Sequence, residues 1–315
     1  MDNRAARPPI GPESQGLRVT VRRRLPDGSA TDVVGRVLEA GPPVTVETRT
    51  GELVRIDPAT VLLWRVVPDR PLRRRPAARV PADDLQRITS RGWPAVESAA
   101  LGDWELRASS GFTQRANSVD VHGDPGVGAG EASAAVTGFY RARHLPPLAQ
   151  VVSGSSWERR LVDLGWRATA GERAAASVQV LDLAAGPVPD PEVRVEPLAT
   201  DAWLARYPRV GDPAVARRVL QGPARVRFLH LDEAICRVVV TGEWAGVSAV
   251  EVPAARRRRG LGRRIVLTAL AWAASEGADK AYLQTTPDNA PALGLWADLG
   301  FHHHHGYRYL TTDGP

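Results

Sequence analysis

The stretch VEVPAARRRRGLGRRIVLTAL, Val250 to Leu270, sets three things in direct succession: a V-x-V strand, a loop packed with arginine and glycine, and a helix. Ile265, Ala269 and Trp272 recur at i, i+4 and i+7, which gives that helix one apolar face. Gly260 and Gly262 let the backbone turn its N–H groups toward a ligand with no Cβ in the way. The helix N-terminus adds unpaired donors and a partial positive charge. Arg256 to Arg259 and Arg263 add formal charge and forked donors suited to phosphate oxygens. Such a place binds a pyrophosphate. It is neither a Rossmann fingerprint, which needs a third glycine at fixed spacing, nor a P-loop, which needs GK[ST].

Outward from this stretch the chain alternates regularly. Upstream lie a strand at 193–195, helical stretches at 199–207 and 212–222, and strands at 225–231, 234–242 and 246–252. Downstream the helix runs from near Gly260 to Gly277, followed by a strand at 280–285, a helix at 289–300 and a strand at 302–310. The order βααβββαβαβ predicts a layered α+β sheet. Two proline-rich joints, at 67–84 and 184–192, cannot form a regular helix or central strand. They divide the chain into a disordered tail (1–16), a segment at 17–68, a linker (69–81), a segment at 82–183 and a segment at 192–311.

Arg257-x-x-Gly260-x-Gly262, after a V-x-V strand and before a helix, resembles the acetyl-CoA pyrophosphate motif of the GNAT N-acetyltransferases. Asn289-x-x-Ala292-x-x-Leu295-Trp296-x-x-x-Gly300-Phe301 resembles that family's N-x-x-A-x-x-L-Y-x-x-x-G-F motif. The resemblance covers 192–311, with a degenerate second copy at 82–183. The layout is similar to that of actinobacterial histone-acetyltransferase-like proteins. It implies a GNAT fold, a mixed central sheet with flanking helices, in a tandem. It also implies acetyl-CoA as cosubstrate, in a wedge between the two central strands. The pantetheine would pair with the strand at Val250 and Val252, and Asn289 would hydrogen-bond it. The pyrophosphate would sit on residues 258–263, with Arg257, Arg258, Arg259, Gly260, Leu261, Gly262 and Arg263 forming its site. A primary amine, on a small molecule or on a protein lysine or N-terminus, would attack the thioester directly.

That reaction needs a base for the ammonium, a donor for the oxyanion, most simply near Val252, and a proton for the leaving thiolate. Glu251 is the first candidate base and Glu243 the second. Where the family motif has tyrosine as the acid, this chain has Trp296, whose indole N–H has no useful acidity. Trp296 is expected to line the cofactor site. Tyr282, Tyr307 and Tyr309 could replace the acid, Tyr307 being our assignment, and solvent protonation is the other route. The same departure motivates the opposing class, a non-catalytic acyl-CoA-binding sensor or scaffold, possibly DNA-associated.

LVDLGW (161–166) and WADLGF (296–301) share three identities, and both follow helical stretches. Around the first copy the order strand, strand, glycine-rich loop, helix, strand, helix, strand matches the third segment. Its loop, GDPGVGAGE from Gly123, has no arginine, and Asp124 and Glu131 would repel a pyrophosphate. This half is therefore expected to bind no CoA and to wall the acceptor site. Arg115 and Asn117 are read as one face of a strand, forming either part of an acceptor pocket or a polar bond across the halves.

Segment 17–68 reads as five short strands, predicting a small SH3-like barrel. Residues 1–80 hold 15 arginines against nine acids, which accounts for the whole net charge of +6. Arg22, Arg23 and Arg24 could touch nucleic acid or an acidic partner, or simply guard a strand edge. A chain 43% hydrophobic and 24% charged is ordinary for a folded protein. No apolar run approaches the ~18 residues of a membrane span, and residues 1–13 lack a signal-peptide h-region. With one cysteine, Cys236, there is no intramolecular disulfide and no Cys-rich zinc site; the cytoplasm is the simplest compartment. Cys236 reads as a small buried hydrophobe. His302 to His305 read as structural or substrate-lining, since strand neighbours point to opposite faces; a proton relay or a metal site is the less favoured alternative.

Overall fold

Along Arg18–Arg24 valine alternates with threonine and arginine, and that period of two turns Val19 and Val21 inward. The same alternation turns Val33, Gly35 and Val37 inward in the next strand. The computed structural model describes residues 10–67, 75–183 and 186–313. In it β1 (Arg18–Arg24), β2 (Ala30–Glu39), β3 (Val44–Thr48), β4 (Leu53–Ile56) and β5 (Val61–Val66) form an antiparallel sheet in the order β4-β3-β2-β1-β5. Val37, Val46 and Ile56 close its core with Val19 and Val21. Ile10 is buried in the same core and Pro12–Ser14 form a 3-10 turn, so residues 10–14 belong to the fold although a disordered tail was expected over 1–16. Residues 1–9 and the first part of the expected linker, 69–74, lie outside the described residues.

This sheet is one compact unit, to which the turn 241–243 is also assigned; the rest of the chain from residue 76 is the other. The second unit contains α1 (Ala82–Arg91), β6 (Glu97–Leu101), β7 (Trp104–Ala108), β8 (Val119–Val121), α2 (Ala129–Arg141), β9 (Leu148–Val152), α3 (Ser156–Asp163), β10 (Arg167–Ala168) and β11 (Ala175–Asp182). It continues with β12 (Arg194–Glu196), α4 (Asp201–Leu204), α5 (Pro213–Leu220), β13 (Val226–Leu231), β14 (Ala234–Thr241), β15 (Trp244–Glu251), α6 (Leu261–Ser275), β16 (Lys280–Thr285), α7 (Ala290–Asp298) and β17 (His302–Thr311). From β12 onward the order is the one the sequence predicts.

The duplication is visible in two devices. Each half has a parallel pair, β8 with β9 and β15 with β16, and each pair is bridged by a crossover helix, α2 and α6. The LVDLGW and WADLGF repeats are one C-cap used twice. Gly165 and Gly300 sit at φ 88° and 87°. The amides of Trp166 and Phe301 bond back to the carbonyls of Leu161 and Trp296 at 3.0 and 2.9 Å, closing a Schellman turn.

The halves do not close separately. All twelve strands share one sheet, ordered β12-β13-β14-β15-β16-β11-β17-β9-β8-β7-β6, with β10 on β17. Strand β11 ends the first half in sequence, yet it lies between β16 and β17 of the second. Strand β17 in turn pairs with β9 of the first. Each half thus completes itself with the other's last strand. Ala176–Val180 of β11 are buried throughout, as a strand covered on both faces requires.

Two local expectations change. Strand β6 was not anticipated. The strand expected over 113–122 is a strand only at Val119–Val121, preceded by a 3-10 turn at Arg115–Asn117. Asn117 explains it: its Oδ1 accepts from Ser109 and Gly111 amides (2.8 and 3.0 Å), and its Nδ2 donates to Phe112 and Thr113 carbonyls (2.8 and 2.9 Å). These bonds offer the backbone an alternative to the ladder. Among the described residues, no helix is long and apolar enough to cross a membrane.

Candidate active site

The parallel pairing of β15 with β16 stops at Val247 opposite Leu283. Ala249 then takes a left-handed φ of 50°, and the remaining backbone of β15 diverges. Between the parted strands lies a cleft of about 880 Å³. Val247–Glu251 line one side and Leu283–Thr286 the other, with Asn289, Ala292 and Trp296 beside them. Tyr207 and Arg209 come from the segment after α4. Gly111–Arg115 (apart from Phe112) and 170–173 come from the first half, and Tyr307 and Tyr309 from β17.

Beyond β15 the arginine loop leads into α6. Arg258 and Gly260 both adopt left-handed φ values, 59° and 76°. No side chain caps the helix, so the amides that follow Gly260 keep their donors free of a side-chain acceptor. A Cβ on Gly262 would come within 3.3 Å of Leu295 Cδ2, so that glycine lets α6 and α7 approach. Leu261 is buried in the core and can offer a ligand only its backbone. The arginines divide in use. Arg256 pairs with Glu233 at 3.1 Å, Arg257 donates Nε to the Val252 carbonyl at 3.1 Å, and Arg264 binds Asp190 and Glu192. Among the described residues, Arg258, Arg259 and Arg263 have no carboxylate partner. An uncapped helix start flanked by three uncommitted guanidiniums fits the phosphates of a CoA ester.

The other proposed contacts are distributed as follows. Val250 and Val252 flank Glu251 on the strand end that has left the ladder, with Val250 lining the cleft. Asn289 caps α7 through Oδ1, accepting from Ala292 N at 3.2 Å, and its Nδ2 remains for a ligand. Trp296 stands against Phe301 at 6.0 Å, edge to face, and its Nε1 is buried with no partner. Glu251 is in the cleft and is held by Arg209. Glu243 is not in the cleft; it lies in the turn before β15. Of the three tyrosines, Tyr282 is buried with its hydroxyl over Gly92 and Gly246, away from the cleft lining. Tyr307 and Tyr309 do line it, and burial holds both hydroxyls above the ordinary phenol range. The Tyr307 hydroxyl approaches Gln284 Oε1 at 3.4 Å.

The histidine run does not line the cleft. A bulge opposite Val178/Gln179 brings the neighbours His304 and His305 together, Nδ1 to Nδ1 at 2.6 Å, so the alternation assumed for an even strand fails here. His304 also meets the Val80 carbonyl and His305 the Gln86 amide. Among the described residues, no cluster of three or more His, Cys, Asp or Glu could hold a metal. Cys236 is fully buried. In the first half, the Asp103 and Asp124 carboxylates accept from the amides of Asp124 and Gly126, so two of the loop donors are already taken. Arg115 reaches Gln284 across the two halves, and Asn117 is wholly engaged in its own turn. Sequence reading missed Arg209, Ser248 and Gln284; none belongs to a local pattern.

Comparison with known proteins agrees with this geometry. The family model described as "Probable histone acetyltransferase Rv0428c C-terminal" matches residues 83–310, and "Rv0428c N-terminal Sm-like domain" matches 13–65. The small sheet is therefore Sm-like, where an SH3-like barrel was expected from the strand count. The chain is 33% identical over 309 residues to "Probable histone acetyltransferase Rv0428c" of Mycobacterium tuberculosis, covering 94% of this chain and 95% of that one. A GCN5-related N-acetyltransferase from Kribbella flavida superposes with a TM-score of 0.51 at 15% identity, over 74% of this chain and 96% of the other. A tandem GNAT protein from the clavulanic acid biosynthesis pathway gives 0.50 at 17%, over 74% and 88%. With both motifs, the duplicated crossover and matches along nearly its whole length, the chain belongs to the Rv0428c-like family of GNAT acetyltransferases with an Sm-like N-terminal domain.

Proposed function

We propose that the protein transfers the acetyl group of acetyl-CoA to a primary amine by direct attack, in the cytoplasm. The observation that supports this most is the parting of β15 from β16 into a tyrosine-lined cleft, one wall of which runs on into the uncapped start of α6. Acetyl-CoA supplies an acetyl group activated as a thioester. The amides of residues 258–263, with Arg258, Arg259 and Arg263, hold its phosphates. The backbone at Val250 and Val252, unpaired with β16, pairs with the pantetheine, and Asn289 Nδ2 donates to it. Trp296 walls the site. Glu251, fixed by Arg209, takes the ammonium proton through water. The Val252 amide donates to the developing oxyanion. As the C–N bond forms and the C–S bond breaks, Tyr307 gives its proton to the departing sulfur. Its raised pKa keeps that proton in place at neutral pH. The first half binds no CoA and walls the acceptor side. The basic Sm-like domain is the surface for a nucleic acid or an acidic partner.

The test is CoA release by the full chain, with and without amines. Release that requires an amine supports transfer. Acetyl-CoA binding with no release across peptide and small-molecule amines would instead support the sensor.

A further inference from the structure

The charges lining the cleft do not cancel. They are Arg115, Arg173, Arg209, Glu172 and Glu251. Arg209 pairs with Glu251. At the exposed rim Glu172 and Arg173 are sequence neighbours of opposite sign. Arg115 is left over, and among the described residues no carboxylate lies within salt-bridge distance of it. Its polar partner among the described residues is neutral, Gln284 Oε1, and its guanidinium lies 4.5 Å from the Trp93 ring centroid. Arg237 is 4.9 Å from the same ring. It is 1% exposed, also without a carboxylate, and burial pushes it down to about 10. It binds the Leu220 and Gly92 carbonyls and Ser248 Oγ, a cleft residue. Two uncompensated guanidiniums thus share one indole at this wall of the cleft. Arg237 is wholly buried and Arg115 half-buried at the cleft surface, so an anion entering the cleft meets charge that no carboxylate balances. Gln284 has a donor without an acceptor as well: Arg115 and Tyr307 both donate to its Oε1, and its Nε2 is buried without a partner.

We propose that Arg115 and the Gln284 amide form a carboxylate subsite, and that the acceptor is an amine carrying a carboxylate in the same molecule, as an amino acid does. Of the two guanidiniums only Arg115 lines the cleft, so a ligand there meets one surplus positive charge, which one carboxylate balances. A protein lysine would bring a second positive charge to the same wall. The proposal rests on the cleft being the acetyl-transfer site. The same carboxylate could instead be carried by a dicarboxylic acyl group.

The experiment uses the full chain loaded with CoA, measuring thermal stability and affinity for each of the twenty L-amino acids and for its amide. At least one acid should bind about tenfold or more tightly than its amide, the scale of one charge-assisted hydrogen bond. Arg115→Gln should bring that ratio near one while the stabilisation by acetyl-CoA persists, and Arg115→Lys should keep part of it. Gln284→Met serves as a second probe if Arg115→Gln does not fold. Acids no tighter than their amides, or a ratio untouched by Arg115→Gln and Gln284→Met, overturn the subsite. In parallel, succinyl-CoA binding tenfold tighter than acetyl-CoA, lost in Arg115→Gln, keeps the subsite and assigns the carboxylate to the acyl group. Acetyl transfer to acids and amides alike sinks the subsite and leaves the transferase reading intact. An acid–amide ratio with no transfer to any amine does the reverse.

Discussion

Replacing Gly260 by aspartate and by asparagine separates charge from shape at the start of α6. Both side chains impose the same cost of a left-handed φ, about 1–2 kcal/mol at most and less for these two residue types. A Cβ there meets no protein atom within 4 Å, so both variants should fold. Only aspartate brings a negative charge. At about 5 Å from a phosphate charge, repulsion is about 0.8 kcal/mol in water and about 3.3 kcal/mol at an effective dielectric of 20. That range is roughly 4-fold to 250-fold in affinity. At acetyl-CoA equal to ~100 Kd the wild type gains about 2.7 kcal/mol, and a 100-fold weaker variant keeps about 0.4 kcal/mol. In a unit of this size the ligand-induced rise in Tm should fall from roughly 5–10 °C to about 1 °C. Differential scanning calorimetry with and without acetyl-CoA measures both. Asparagine should retain clearly more of the rise than aspartate. A Gly260→Asp protein with the full wild-type rise would falsify the placement of the phosphates at this helix.

Charge removal nearby should sort the arginines by their partners: Arg258→Gln, Arg259→Gln and Arg263→Gln should each weaken acetyl-CoA binding and flatten its salt dependence, whereas Arg264→Gln, tied to Asp190 and Glu192, should leave affinity unchanged. Glu251→Gln and Tyr307→Phe should lower kcat by about 100-fold or more while sparing acetyl-CoA affinity, the usual scale for a lost general base or acid; equal turnover across pH in either variant removes that residue from the reaction. Burial pushes His305 down to about 3, below the ordinary imidazole range, so the fold holds the neutral ring. Its stabilisation is complete above about pH 6.5 and is lost as pH falls toward 3, about 2 kcal/mol of it by pH 5; His305→Gln should flatten this acid limb in thermal melts, and an unchanged limb assigns it elsewhere. A fragment of residues 186–313 lacks β11, which separates β16 from β17, and should show no cooperative unfolding; a sharp, reversible melt of that fragment contradicts the exchanged-strand architecture.

Local patterns carried far because several parts of this molecule are local. The run from Val250 to Leu270 forms its strand, turn and helix from neighbours alone, and the Gly165 and Gly300 caps each close within six residues. A left-handed glycine and a helix start are properties of adjacent backbone, so Gly260 and the free donors of α6 could be read in order along the chain. Asn117 shows the limit of the period-two rule: its side chain outcompetes a ladder that the pattern alone suggests. The histidine run shows another, since one bulge opposite Val178 brings His304 and His305 to the same side.

What the linear order could not contain is pairing between distant segments. The exchange of β11 and β17 depends on which edges remain open once each half has formed, and a strand of buried residues fits more than one edge. The acceptor end of the cleft follows from that exchange. Arg115, Arg209, Gln284 and Tyr307 come from four separate stretches, and no spacing connects them. The sequence by itself determined the start of α6, where we propose the cofactor phosphates, because consecutive amides and arginines are adjacent in the chain. Only the tertiary structure decided the acceptor end, because an unbalanced charge exists only after every carboxylate within reach has been placed.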